Sequence, residues 1–255
     1  MRIDILTIFP RFFEAPLKEG VLNIAREKGK LTVRITDIRD FTEDAHRSVD
    51  DYPFGGGAGM VMKPEPIKKA LDSLETSEPN RQKPNRIILL SPRGKVFNQA
   101  YAEDLAKETD IAIICGHYEG VDERIRELVT EELSVGDYVL SGGEPAALVV
   151  ADAVARLLPD VLGSDESLAE ESFQTGLLEY PQYTRPREFM NSKVPDVLLS
   201  GNHGKISRWR RDMSIEITVS RRPDLLAKAD LTDKERTLAE RLKKQQKKET
   251  TTENE

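Results

Sequence analysis

The chain has 255 residues, of which 33% are charged and 38% apolar, and a formal net charge of −7. That length allows one large core, or one large and one small, and the acidic balance taken as an average argues against a nucleic-acid partner. No apolar run approaches the roughly 20 residues that cross a bilayer.

The elements follow in chain order. Met1 to Ile5 places Asp4 inside its first apolar stretch and lacks a small-residue cleavage site, so it reads as a strand rather than a signal, and a cytoplasmic protein is expected. Arg2 to Phe9 is β-branched and alternating, Phe12 to Lys28 has helical spacing, and Leu31 to Ile38 returns to strand character: a β-α-β opening. After Gly55-Gly56-Gly57-Ala58-Gly59, a helix is expected from Pro64 to Leu74 with proline at its start. Then come a polar loop from Thr76 to Asn85, a strand Arg86 to Ser91, a helix Asn98 to Lys107 and a strand Asp110 to Cys115. A helix Asp122 to Glu132, a short strand Leu133 to Val139 and a helix Glu144 to Leu158 complete the alternation. Strands alternating with helices predict an α/β fold with a largely parallel sheet covered on both faces.

From Pro159 to Gly176 the composition shifts to Asp, Ser, Glu and Gly without periodicity, as in a linker. Beyond it, prolines interrupt short helical patterns before a last helix, Asp233 to Lys244. The predicted division is 1–160 for the α/β domain, 161–176 for the linker, 177–246 for a small helical domain and 247–255 for a disordered tail.

Cys115 is the only cysteine, so an intrachain disulfide and a multi-thiolate zinc site are excluded, and its place at the end of an apolar strand predicts a buried, inert thiol. His46, His117 and His203 have no metal-ligand spacing. The 55–59 glycines lack the Gly-Lys-Ser/Thr ending of a phosphate loop, which disfavours NTPase chemistry. The turns at Leu89 to Gly94, Cys115 to Gly120 and Val135 to Glu144 each follow a strand, where ligands bind in open α/β sheets. Loops with little side chain and many free backbone groups suit a nucleoside, so composition and pattern alone suggest a nucleotide-binding metabolic enzyme. From Lys205 to Lys228, seven Lys and Arg surround Trp209 and outweigh three acids, so this segment is locally basic.

Several segments are longer and more specific. Val49-Asp50-Asp51 with Phe54 to Met60, Leu90-Ser91-Pro92-Arg93-Gly94, Cys115 to Arg124 and Gly136 to Glu144 resemble the bacterial tRNA (guanine-N1)-methyltransferase TrmD family. So do Tyr183-Thr184-Arg185-Pro186 and Val197 to His203, and the likeness runs unbroken from Met1 to about Lys244. The resemblance implies a SPOUT-type catalytic domain with a deep trefoil knot, a topology that general rules disfavour. It also implies a homodimer with active sites between subunits, S-adenosylmethionine as methyl donor, and N1 of the tRNA guanosine at position 37 as acceptor when another guanosine precedes it. The family depends on Mg²⁺, whose ligands no motif of this sequence identifies.

Carried over by matching position, donor contacts fall on Leu89, Leu90, Ser91 and Pro92, then Gly116, Tyr118, Glu119 and Gly120, then Val135, Gly136, Tyr138, Leu140, Gly142 and Gly143. Substrate contacts fall on Asp50, Gly56, Gly57, Arg185, Ser200, Gly201, Asn202 and His203, with Arg208 and Arg210 facing tRNA phosphates. Guanine N1 is protonated at neutral pH, so its attack requires a base and a stabiliser for charge moving onto O6. By resemblance these are Glu171 and Arg156. The family usually has Asp where this chain has Glu171, and the added methylene displaces the carboxylate by about one bond length. Three consequences stay open: the linker adjusts, Glu170 takes over, or activity falls. Two other functions remain as alternatives, a SPOUT methylase for another RNA position and a tRNA-binding homologue with impaired catalysis.

Overall fold

The computed structural model describes residues 1–76, 83–163 and 171–252, and the chain divides into two compact units, Met1–Gly163 and Ser164–Glu255. The first unit runs β1 (Arg2–Thr7), α1 (Gly20–Glu27), β2 (Thr32–Asp37), β3 (Asp50–Asp51), β4 (Val61–Met62) and α2 (Pro64–Thr76). It continues through β5 (Arg86–Val96), α3 (Gln99–Leu105), β6 (Asp110–Ile114), β7 (Glu131–Ser134) and α4 (Glu144–Ala155). Five of these strands form one sheet in the order β2-β1-β6-β5-β7, and every pairing in it is parallel.

Successive side chains of a strand point to opposite faces, and here each face has a core. Ile3, Ile5, Ile88, Leu90, Ile111 and Ile113 pack beneath α1, α3 and α4. Leu6, Ile87, Leu89, Ala112 and Ile114 pack on the other side with Ile67, Ala70, Leu71 and Leu74 of α2. The strands read as near-continuous apolar runs because both faces are covered. Asp4, fully buried, is met at 3.1 Å by the guanidinium of Arg2.

Four expectations are corrected. The helix expected over Phe12 to Lys28 is two 3-10 turns, Pro10–Phe13 and Pro16–Lys18, followed by the shorter α1; Pro16 lacks an N–H for a continuous ladder. The helix expected over Asp122 to Glu132 is a 3-10 turn, Glu123–Leu128, and the strand starts earlier, at Glu131, because β7 pairs with β5 there. The turn expected to end the strand at Ser91 is a detour inside β5: Leu90 and Lys95 both lie opposite Leu133, and residues 91–94 bulge from the ladder. The terminal helix does not stop at Lys244 but continues to Thr252, since Lys, Gln and Glu favour helix and no Gly or Pro intervenes. This includes residues 247–252 of the segment read as a disordered tail.

The second unit contains a small hairpin, β8 (Glu188–Phe189) with β9 (Ser192–Lys193), then α5 (Asp196–Leu199), α6 (His203–Arg221) and α7 (Asp233–Thr252). Its own core is Leu177, Ile215, Val219, Leu226, Ala229, Leu231 and Ala239. Thr232 and Glu235 form a capping box at the start of α7: Glu235 Oε2 accepts from Thr232 N–H at 2.8 Å, and Thr232 Oγ1 accepts from Glu235 N–H at 3.4 Å. Glu235 also accepts from Arg211 at 2.9 Å.

Chiefly because of Arg211, the Glu235 carboxyl is held down at about 2. A depressed folded value means the stabilisation is complete above the unfolded value and is lost as pH falls through the folded one. Wild type is therefore expected to unfold at a higher temperature than Glu235→Gln at about pH 6, with the gap closing as pH drops from about 4.5 towards about 2. Thermal melts across that range measure it, and a gap that stays constant would contradict the assignment.

Candidate active site

A detour within β5 and the loops after β6 and β7 meet in one cleft of about 460 Å³, a size suited to a small ligand. The β5 detour supplies Leu90, Ser91 and Pro92; the loop after β6 supplies Gly116, Tyr118, Glu119 and Gly120; the loop after β7 supplies Val135, Gly136, Tyr138, Leu140, Gly142 and Gly143. Together with Leu89, these are all fourteen positions expected to contact the donor. Arg93, His117, Val121, Arg126, Leu133, Ser134, Val139, Ser141 and Ala146 also line the cleft and were not named as donor contacts from sequence.

The two later loops cross each other closely. Gly143 N–H donates to the carbonyl of Gly116 at 2.9 Å, and His117 and Gly142 form an isolated antiparallel bridge. A Cβ on Gly143 would lie 2.7 Å from Cys115 Cα and 3.2 Å from Gly116 N, so only glycine permits this approach. Cys115 is fully buried behind the crossing. Burial first, and then the Glu144 carboxylate, push its thiol well above the usual range, so it is not a nucleophile at neutral pH.

The loop after β6 is also stitched to the 55–59 glycine segment. Glu119 N–H donates to Met60 O at 3.0 Å and Met62 N–H to Gly120 O at 2.9 Å. The Glu119 side chain occupies the space that a Cβ at Gly59 would need. Asp50 lies in β3, opposite Met62, and Gly56 and Gly57 are exposed in the turn between β3 and β4. This brings the expected acceptor-side glycines into the neighbourhood of the expected donor loop.

The other predicted residues are distributed differently. Arg156 is the half-buried C-cap of α4, in the first unit. Glu171 is half-buried and belongs to the second unit, where its carbonyl accepts from Gln174 N–H at 3.3 Å. Glu170 and the rest of 164–170 lie outside the described residues. Also in the second unit, Arg185 is exposed. Ser200, Gly201, Asn202 and His203 form the exposed approach to α6, which Asn202 caps by accepting from Lys205 N–H at 3.0 Å. Arg208 is exposed on α6, whereas the Arg210 guanidinium stacks 4.8 Å from the Tyr180 ring. Among the described residues, no group of three or more His, Cys, Asp or Glu is placed to hold a metal ion, and no helix is long and apolar enough to cross a membrane.

A parallel α/β sheet with a nucleoside-sized cleft of glycine-bearing loops at its strand ends defines a ligand-binding enzyme fold of the open-sheet class. Residues 1–228 match the family model described as tRNA (Guanine-1)-methyltransferase TrmD. Relatives named tRNA (guanine-N(1)-)-methyltransferase occur in Dictyoglomus turgidum, 55% identical over 96% of this chain and 98% of that protein, and in Geobacillus kaustophilus, 54% identical over 92% and 96%. Another, in Pediococcus pentosaceus, is 53% identical over 95% and 98%. The chain belongs to the tRNA (guanine-1)-methyltransferase TrmD family.

Proposed function

We propose that this protein methylates N1 of guanosine in tRNA, at position 37 beside the anticodon, using S-adenosylmethionine. The observation that carries the reading is the convergence of all fourteen expected donor positions on one cleft, in a chain that matches the family almost throughout. The cleft fits the donor chemically. Leu89, Leu90, Leu133 and Ala146 offer an apolar wall for adenine, glycine loops offer backbone donors and acceptors, and Glu119 offers a carboxylate to a cationic group. When bound, S-adenosylmethionine supplies an electrophilic methyl group.

The rest of the chemistry falls to the protein. Glu171 takes the proton from guanine N1, freeing a lone pair there, and Arg156 donates to O6 as charge develops on it. A carboxylate at Glu119 attracts the donor in its ground state, so it serves binding more than rate. On this reading the protein works in the cytoplasm as a homodimer and the sheet is knotted. The knot is supported by β7 lying at the sheet edge while the chain after it returns to pair with the β6 loop, Gly142 with His117 and Gly143 with Gly116, before α4 begins. The basic α6, with Lys205 and Arg208 exposed and Tyr183 6.3 Å from Trp209, supplies the surface for tRNA phosphates and unstacked bases.

Incubation with methyl-labelled donor and tRNA transcripts carrying G or A at position 37 tests this. Label is expected only in the G37 transcript, at N1, and only when G36 precedes it. Equal labelling of both transcripts would overturn the assignment in favour of another RNA position, and donor binding without any transfer would favour an impaired homologue.

A further inference from the structure

One buried polar circuit beside the cleft has no part in the chemistry above. Thr7, the last residue of β1, is fully buried, and its hydroxyl donates to Glu144 Oε1 at 2.6 Å. The same hydroxyl oxygen accepts from Phe9 N–H at 2.9 Å, which leaves its proton for the carboxylate. Glu144, the first residue of α4, is only 2% exposed. Its second oxygen lies 2.9 Å from His117 Nε2. His117 is held on two further sides, by its backbone N–H donating to Met62 Sδ at 3.2 Å and by the Phe9 ring, edge-on at 4.9 Å between centroids.

We infer that Thr7, Glu144 and His117 act as a positioning clasp, fixing the 116–120 loop in its donor-binding shape. Burying a carboxylate is costly, and for stability alone a packed apolar group serves as well or better. A polar circuit that uses both carboxylate oxygens instead specifies one geometry. What it fixes needs fixing: the next residue, Tyr118, sits at φ 59°, a left-handed conformation unfavourable for a bulky side chain, and it lines the cleft with Glu119. The clasp joins three elements, namely the end of β1, the start of α4 and the loop after β6. Glu144 touches no reacting group on this account and acts through His117.

The inference rests on the reading of the cleft as the donor site, and the test separates the two. Titration calorimetry of S-adenosylmethionine into the full-length protein is combined with steady-state kinetics, varying donor and tRNA in turn. Glu144→Ala and His117→Ala are expected to raise donor Kd and KM by roughly tenfold or more, with kcat and the tRNA KM changed much less. Glu144→Gln keeps the size and an acceptor for Thr7, and is expected to recover most of the loss. A merely structural role would lower the melting temperature and the active fraction, and leave the donor KM of folded protein unchanged. Folded Glu144→Ala with wild-type donor Kd overturns the clasp, as does a loss confined to kcat. If Glu144→Ala does not fold, His117→Ala decides by the same measure. A wild-type protein that does not bind the donor refutes the cleft reading itself, and the clasp with it.

Discussion

Methyl transfer by Glu171→Gln is expected to fall by roughly 10²–10⁴-fold, the usual contribution of a positioned base, while donor binding stays at the wild-type level. Glutamine matches glutamate in shape, so a loss of this size reports proton acceptance rather than packing. Glu171→Asp is expected to retain or improve the rate, because the resemblance to the family implies an aspartate at this position. The side chain's extra methylene matters only if the backbone around it cannot adjust, since ~1 Å of misplacement costs on the order of 10²-fold where geometry is tight. Single-turnover transfer of labelled methyl, alongside calorimetry with the donor, separates the two properties. Equal transfer by wild type and Glu171→Gln would remove this residue from the mechanism.

Gly143→Ala is expected to weaken donor binding by roughly tenfold to a hundredfold and to lower the melting temperature. The added Cβ meets Cys115 Cα at 2.7 Å, and that neighbour is backbone, which cannot swing aside as a flexible side chain would. The 142–143 segment must therefore retreat, losing the 2.9 Å bond from Gly143 N–H to Gly116 O and opening the crossing that shapes the cleft. Overpacking of this kind costs about 1–3 kcal/mol. Gly163→Ala is the matched control, because a Cβ there meets nothing within 4 Å. Wild-type affinity and melting temperature in Gly143→Ala would mean that the two loops do not need their close approach.

The parts of the fold legible in the sequence are those governed by short-range pattern. Arg2 to Thr7 and Arg86 to Leu90 announce themselves by β-branched runs, and α2 and α4 by proline at their first turns. The misread parts depend on partners far along the chain. Ile125 and Leu128 fit a 3.6-residue period as readily as a 3-10 turn, and only the pairing of Leu133 with Leu90 fixes where β7 lies. For the same reason the detour at 91–94 reads as a strand end, since a ladder that resumes at Lys95 requires a strand beside it.

The cleft was legible from pattern, because three glycine-bearing turns follow consecutive strands and together line it; the ligand expected in it came only from the likeness to a known family. The link from His117 to Glu144 and Thr7 is not legible in the sequence, because Glu144 is 27 residues from the histidine and Thr7 a further 137 from that glutamate. No local motif links a threonine, a glutamate and a histidine so separated. The chemistry assigned to Glu171 and Arg156 is legible only by family likeness, as neither side chain stands in a pattern that announces a base or an oxyanion donor.

The order of the sheet bears on how the protein is made. β1 leaves the ribosome well before its inner neighbour β6, with which it pairs Arg2 opposite Asp110. β2 can cover only one edge of it in the meantime. At about 5–20 residues per second, the nascent β1-α1-β2 unit waits several seconds with an apolar flank unpaired, and longer still before Glu144 emerges to meet Thr7. An unpaired apolar strand edge is prone to aggregation, so a chain cut between β2 and β6 is expected to keep that edge of β1 uncovered.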